Sequence, residues 1–222
     1  MRVLVACEES QAVCIAFREG GHQAFSCDLL PCSGGHPEWH IQGDAIEQCY
    51  LGTWDLIIGH PPCTYLTNAG IGYFNIEKWG DKAKERRRLR DEALEFFIKM
   101  YNSPVKKLCL ENPVGWVNSQ FRKPNQTIQP HYFGDHHLKR TCLWLRGLPR
   151  LNGTHAAALD KHHLKPEPRS VNVRKPSKYY HGGEAKKRYF SDYTGPGGAK
   201  TGKERSKTFP GIARAMAEQW GR

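Results

Sequence analysis

Three short stretches of this chain place residue types that could do chemistry at predicted strand ends. The first is Gly59-His60-Pro61-Pro62-Cys63-Thr64. Each proline fixes its own φ and restricts the residue before it, so the turn is extended and rigid. A thiol held there could act as a nucleophile; the plainer reading is an inert buried cysteine. The second is Leu110-Glu111-Asn112-Pro113. A carboxylate there could meet the hydrogen-bonding edge of a base, or it could be a solvated glutamate in an Asx-Pro turn. The third is Tyr132-Phe133-Gly134, followed by Lys139-Arg140 and the apolar run Thr141 to Leu145. Those cations could hold a phosphate or polarise a carbonyl oxygen; otherwise they are an ordinary surface pair.

The elements around these stretches alternate between apolar runs and helical patterns, which is the βαβ signature of a parallel sheet. Val3 to Ala6, Gln23 to Cys27 (ending at Asp28), Asp55 to Ile58, Lys107 to Leu110 and Thr141 to Leu145 read as strands. Ala12, Val13, Ile15 and Ala16 form the stripe of a helix that stops at Gly20-Gly21. Lys82 to Tyr101 is the clearest helix, with Leu89, Ala93, Phe96, Phe97 and Met100 on one face. Its outer face carries Lys84, Arg86, Arg87, Arg88 and Arg90. The expected fold is α/β: a Rossmann-like, mostly parallel sheet with helices on both faces, plus a small basic, loop-rich region. Right-handed crossovers would gather the strand ends along one edge, where ligands of such sheets bind. Ile212, Ala213, Met216 and Trp220 share the face of a last helix expected to pack back on the sheet.

At 222 residues, with 39% hydrophobic and 25% charged residues, the chain has a globular composition. Its length lets it bury roughly 70% of its unfolded surface without a disulfide or metal staple. The charge is uneven: residues 151–222 hold 15 basic and 6 acidic residues, while residues 1–150 are nearly neutral. A near-neutral body with a basic last third is the footprint of a polyanion binder, or else a solvated surface. No apolar run approaches the roughly 20 residues of a membrane helix. The first residues read as an opening strand rather than a signal peptide. These features, with eight cysteines read as free thiols, lead us to expect a cytoplasmic, intracellular monomer without membrane association.

The order of the three stretches resembles that of the DNA cytosine-5 methyltransferases, over residues 1–147 and 206–220. Pro62-Cys63 stands where that family has its Pro-Cys turn, and Glu111-Asn112 where it has its Glu-Asn motif. Tyr132-Phe133-Gly134 with Lys139-Arg140, and Lys207 to Ala213, look like two further family segments. The resemblance implies transfer of a methyl group from S-adenosylmethionine to C5 of cytosine in DNA. Cys63 would add to C6, Glu111 would hydrogen-bond the N3/N4 edge, and Arg140 would be the third catalytic residue. The base would have to be flipped out or arrive single-stranded. Residues 64–81, with Gly70, Gly72 and Gly80 around Tyr73, Phe74 and Trp79, match the family's loop after the nucleophile, which suits a lid.

By position, Asp28 would accept from the ribose hydroxyls of the cofactor. Glu8, Ser10, Asp44, Asp55, Pro61 and Thr208 complete the expected cofactor set. The family's first loop is Gly-rich, whereas this one runs Cys7-Glu8-Glu9-Ser10-Gln11-Ala12-Val13, leaving backbone approach to Ser10 and Ala12. The resemblance divides the chain into a catalytic core (1–147), a small target-recognition region (148–205) and a returning helix (206–222). Asn112, Lys139, Lys178, Lys186, Lys187 and Arg188 are the expected DNA contacts; Tyr179, Tyr180, Tyr189, Phe190 and Tyr193 interleave with the last four. Two other functions compete: amino methylation of adenine or cytosine, whose enzymes share the Pro-Pro turn, and a catalytically silent DNA-binding relative. Cys27, Cys32, His36 and His40 have spacings that zinc could use, but Cys27 falls within a strand and no metal is assigned.

Overall fold

The structure, a computed structural model, describes residues 1–135, 137, 139–155 and 208–222. Lys178, Lys186, Lys187 and Arg188, their neighbouring aromatics and most of the expected recognition region lie outside the described residues.

Seven strands form one sheet: β1 (Arg2–Ala6), β2 (Gln23–Asp28), β3 (His40–Gln42), β4 (Leu56–Gly59), β5 (Lys107–Pro113), β6 (Gln126–Ile128) and β7 (Thr141–Arg146). Their order is β3-β2-β1-β4-β5-β7-β6. The first five run parallel, and β7 runs antiparallel to both β5 and β6. The described helices are α1 (Ala12–Glu19), α2 (Ala45–Leu51), α3 (Ile76–Trp79), α4 (Asp81–Tyr101), α5 (Trp116–Gln120) and α6 (Pro210–Trp220). The strand order reverses between β1 and β4, the switch point of a doubly wound, Rossmann-like fold.

Side-chain alternation sorts the strands' apolar residues into two cores, because successive residues of a strand face opposite sides. Val3, Val5, Leu56, Ile58 and Cys109 face α1 and α6, where Phe17, Ile212, Met216 and Trp220 are buried. Leu4, Ala6, Ile57, Leu108 and Leu110 face α2, α4 and α5. The α6 face is the one read from the sequence, and the helix does return to the sheet. Trp220 donates its indole N–H to the Pro149 carbonyl at 3.1 Å, and Leu151 is buried beside it. Leu148 and Leu151 thus pack against the body.

Three differences from the sequence reading have physical causes. β5 does not end at Leu110: it pairs with β4 only that far, then continues through Pro113 against β7. The overhang carries Glu111 and Asn112 past the end of β4. Because β7 is antiparallel, its beginning, not its end, lies at the carboxyl edge of the parallel strands, which brings Lys139 there. On α4, Arg86 and Arg90 belong to the inward stripe with Ala83, Ala93, Phe97 and Met100, not to the outer face. The Arg90 guanidinium lies 3.6 Å from the Trp116 ring centroid, and Arg86 lies over Tyr65, Tyr73 and Phe74. Cation–π contact and their long stems let both arginines cover aromatic surface.

Candidate active site

The site forms along the carboxyl edge of β1, β4 and β5. After Gly59, the chain turns through His60-Pro61-Pro62 to Cys63. A Cβ at Gly59 would come within 2.7 Å of Leu110 and 2.5 Å of the Met100 sulfur, so those side chains would have to shift to admit one. Gly59 pairs with Ala6 on one side and Leu110 on the other. His60 therefore emerges between the loop carrying Glu8 and the overhang carrying Glu111.

His60 Nδ1 lies 3.1 Å from Glu111 Oε2, with the two side chains only 9% and 15% exposed. Burial alone would lower the His60 pKa, but the hydrogen bond and charge of Glu111, reinforced by Glu8, raise it. Burial alone would raise Glu111; the His60 hydrogen bond and the charges of Lys139 and His60 hold it below the usual carboxylate range. Both shifts favour an imidazolium donating to a carboxylate. This histidine was missed because its partner is 51 residues away; its place beside the Pro-Pro turn was the only signal.

Cys63 is half-buried. Its carbonyl accepts from Leu66 N at 3.0 Å and Thr67 N at 3.1 Å, closing the chain into a tight turn beneath the thiol. Burial first, then the Glu111 charge, push the thiol pKa up, while Lys139 pulls it down. Burial and Glu111 thus favour the protonated thiol over the thiolate. Even so, Cys63, Glu111, His60 and Lys139 are near enough for their charges to act on one another.

Lys139, expected at the DNA, and Arg140, expected at the reacting base, face different ways. Lys139 is half-buried and acts on Cys63, Glu111 and His60, whereas Arg140 is exposed. Adjacent residues entering a strand face opposite ways, and only one of the two can turn inward. Asn112 is likewise not an exposed contact. It is 1% exposed, and its Nδ2 donates to the Pro61 carbonyl at 2.8 Å, bracing the Pro-Pro-Cys turn.

The expected cofactor residues divide three ways. Asp28, at the end of β2, accepts from Leu30 N at 3.0 Å through one oxygen, beside the exposed Leu29 and Leu30. Asp44 caps α2, accepting from Ile46 N at 2.7 Å. The charges of Asp28 and Asp44 both reach Cys7 at the end of β1, so these two acids share the carboxyl edge. Ser10 and Pro61 lie in loops at the same edge, and Thr208 immediately precedes the Phe209 N-cap of α6. Glu8, by contrast, is buried, and its two oxygens accept from Val13 N at 2.7 Å and Cys14 N at 3.2 Å. It turns inward because the first turn of α1 leaves N–H groups that need acceptors. Asp55 is at the wrong edge. It precedes β4 and accepts from Arg2 N at 2.7 Å, a full strand length from Cys63.

The residues after Cys63 form more than an open loop. Asn68–Phe74 is a 3-10 helix and α3 follows it. Leu66 is buried and its carbonyl accepts from Trp116 N at 2.7 Å, while Arg87 donates twice to the Phe74 carbonyl. Ile71 and Tyr73 are left exposed.

Cys27 Sγ contacts the Gly43 carbonyl, and His40 Nδ1 lies 2.8 Å from Ser26 Oγ. His36 stacks on Trp39. Among the described residues, no group of three or more His, Cys, Asp or Glu is placed to hold a metal.

No protein-family model matches the chain, and no curated protein matches it. A solved E. coli structure described as a candidate DNA modification methyltransferase encoded within a prophage aligns at 12% identity and a TM-score of 0.40. The alignment covers 65% of this chain and 46% of that one, so the chain spans less than half of that protein's length. The Rossmann-like architecture rests on the strand order itself.

Proposed function

We propose that this protein transfers a methyl group from S-adenosylmethionine to C5 of cytosine in DNA, through a covalent bond between Cys63 and C6. The observation that carries the reading is the convergence of Cys63, Glu111 and Lys139 at the switch-point edge, from three separate segments. The basic last third of the chain supports a polyanionic substrate.

The cofactor crevice suits an adenosine ligand. One Asp28 oxygen is committed to Leu30 N, leaving the other to accept from ribose hydroxyls, and Leu29 and Leu30 offer apolar surface for a purine. Asp44 lies at the same edge. When bound, S-adenosylmethionine supplies an electrophilic methyl group for the ring's C5.

C5 of cytosine is a poor nucleophile, and the chain's own residues correct this. The Cys63 thiol gives its proton to water and its sulfur bonds to C6 while N3 takes a proton from water, which makes C5 electron-rich. Lys139 lowers the cost of the thiolate. Glu111 accepts from the 4-amino group, and from N3–H once N3 has taken a proton, so the carboxylate offsets the ring's positive charge. Loss of the C5 hydrogen and of the N3 proton to water, with departure of the sulfur as a thiolate that takes a proton back from water, restores the aromatic base and the free thiol. The edge lies at the surface, so the base must be extruded from a duplex or presented single-stranded.

Incubating the protein with cytosine-containing DNA and labelled cofactor, followed by nucleoside analysis, tests this. The expected product is 5-methylcytosine, lost in Cys63→Ala. A 4-amino or 6-amino methyl product surviving in that variant would assign amino methylation instead.

A further inference from the structure

One buried group is not used by that chemistry. His60 Nε2 is buried and has no hydrogen-bond partner among the described residues, while Nδ1 is committed to Glu111. The groups that face this ring come from each neighbouring element. Glu111 stands on β5, Glu8 on the loop after β1, Lys139 before β7, and Cys63 three residues on in the same turn. Two acidic side chains therefore flank one imidazole in a water-poor setting, where charge interactions are strong; burial pushes the Glu8 pKa up, so Glu111 is the principal counter-charge. Lys139 opposes the imidazolium but favours the Glu111 carboxylate.

An ionised carboxylate can only accept hydrogen bonds, whereas a neutral carboxyl can also donate. Glu111 Oε2 is taken by Nδ1, and Oε1 has no partner among the described residues. Position 4 distinguishes the pyrimidines at this edge: cytosine presents an N–H donor, and uracil or thymine an oxygen acceptor. A neutral carboxyl could serve either edge; a carboxylate repels the 4-oxo group.

We propose that His60 is the positioning residue that sets this choice: its imidazolium clamps Glu111 as a carboxylate, so that the site accepts a 4-amino pyrimidine and rejects a 4-oxo one. The clamp rests on the reading of Glu111 as the group that meets the ring. His60 itself forms no bond to substrate and moves no proton to it.

The test uses the full chain and has two independent arms. In the first, nitrogen-detected NMR follows the His60 ring against pH, assigned by the signal missing in His60→Asn. The imidazolium should persist above the ordinary histidine range in the wild type and lose that persistence in Glu111→Gln. A His60 ring that is neutral at pH 7 overturns the clamp, whether or not methyl transfer occurs. In the second arm, kcat/KM is measured against pH on matched oligonucleotides with cytosine or deoxyuridine at the target. His60→Asn keeps a neutral N–H donor, and its acidic limb should move up by about one to three units, the size of a lost opposite charge. Its preference for cytosine should shrink toward the acidic end, where Glu111 becomes a donor. His60→Gln should behave alike, and the melting temperatures of both variants report whether they fold. Superimposable pH profiles and unchanged preference in folded variants overturn the proposal. A persistent imidazolium in a wild type that methylates neither target overturns the edge selection together with the methyl-transfer reading, and so separates that failure from a failed clamp.

Discussion

The Asn112 side chain donates to the backbone carbonyl of Pro61 at 2.8 Å, tying the two chemistry-bearing segments together across 51 residues of chain. Proline supplies no N–H and its ring cannot adapt, so this amide is what registers the Pro-Pro-Cys turn against β5. Asn112→Ala should loosen Cys63 relative to Glu111. We expect at least a tenfold fall in methyl transfer with a stability loss of about 1–3 kcal/mol, the usual cost of an abandoned buried hydrogen bond. Denaturant unfolding and single-turnover rates read the two effects separately.

Thiol reactivity reports the electrostatics of the site without any substrate. Burial and Glu111 raise the Cys63 pKa, so less thiolate is present at a given pH than for a free cysteine. Alkylation by iodoacetamide at pH 8 should be slow and should rise with pH. Glu111→Gln removes a negative charge and should speed it; Lys139→Met removes the opposing positive charge and should slow it. Each change should be up to about tenfold, one pK unit. Mass spectrometry of the Cys63 peptide distinguishes this thiol from the other seven cysteines.

Lys139 and Arg140 should separate cleanly. Lys139→Met should lower the rate of the chemical step at saturating DNA, because its charge acts on Cys63 and Glu111. Arg140→Met should leave that step nearly intact while reducing the slope of log affinity against log salt by about one, as loss of a single phosphate contact does. Equal effects on the chemical step would contradict the assignment.

The far end of the sheet has its own clamp. Arg146, near the end of β7, donates to the carbonyls of Tyr101, Ser103 and Val105 at 2.6, 2.6 and 2.7 Å. These are the unsatisfied acceptors at and just beyond the C-terminus of α4. Arg146→Met should cost about 3 kcal/mol, given about 1.5–3 kcal/mol for a single charge-assisted bond and incomplete additivity. A lower denaturant midpoint at unchanged slope would verify it.

The strands and long helices were legible because apolar runs such as Val3 to Ala6 and the stripe on α4 follow directly from burial periodicity. The resemblance put Cys63 and Glu111 after successive strands, and β4 and β5 are neighbours in the sheet, near enough for the Glu111 charge to act on Cys63. What sequence could not provide was orientation. Whether Lys139 or Arg140 turns inward depends on the antiparallel pairing of β7, and the bracing role of Asn112 depends on three residues of β5 overhang. β3 and β6 span three residues each, too few to show alternation. Asp55 was misplaced because a residue beside a strand carries no mark of which sheet edge it occupies.

Glu8 has a consequence for what the crevice can hold. Helix N-termini in nucleotide-binding folds commonly receive a phosphate on their free N–H groups. Here the N–H groups of Val13 and Cys14 are already spoken for by the Glu8 side chain. The first helix thus offers a pyrophosphate fewer free N–H groups, which is compatible with the proposed phosphate-free cofactor and with a first loop that holds no glycine.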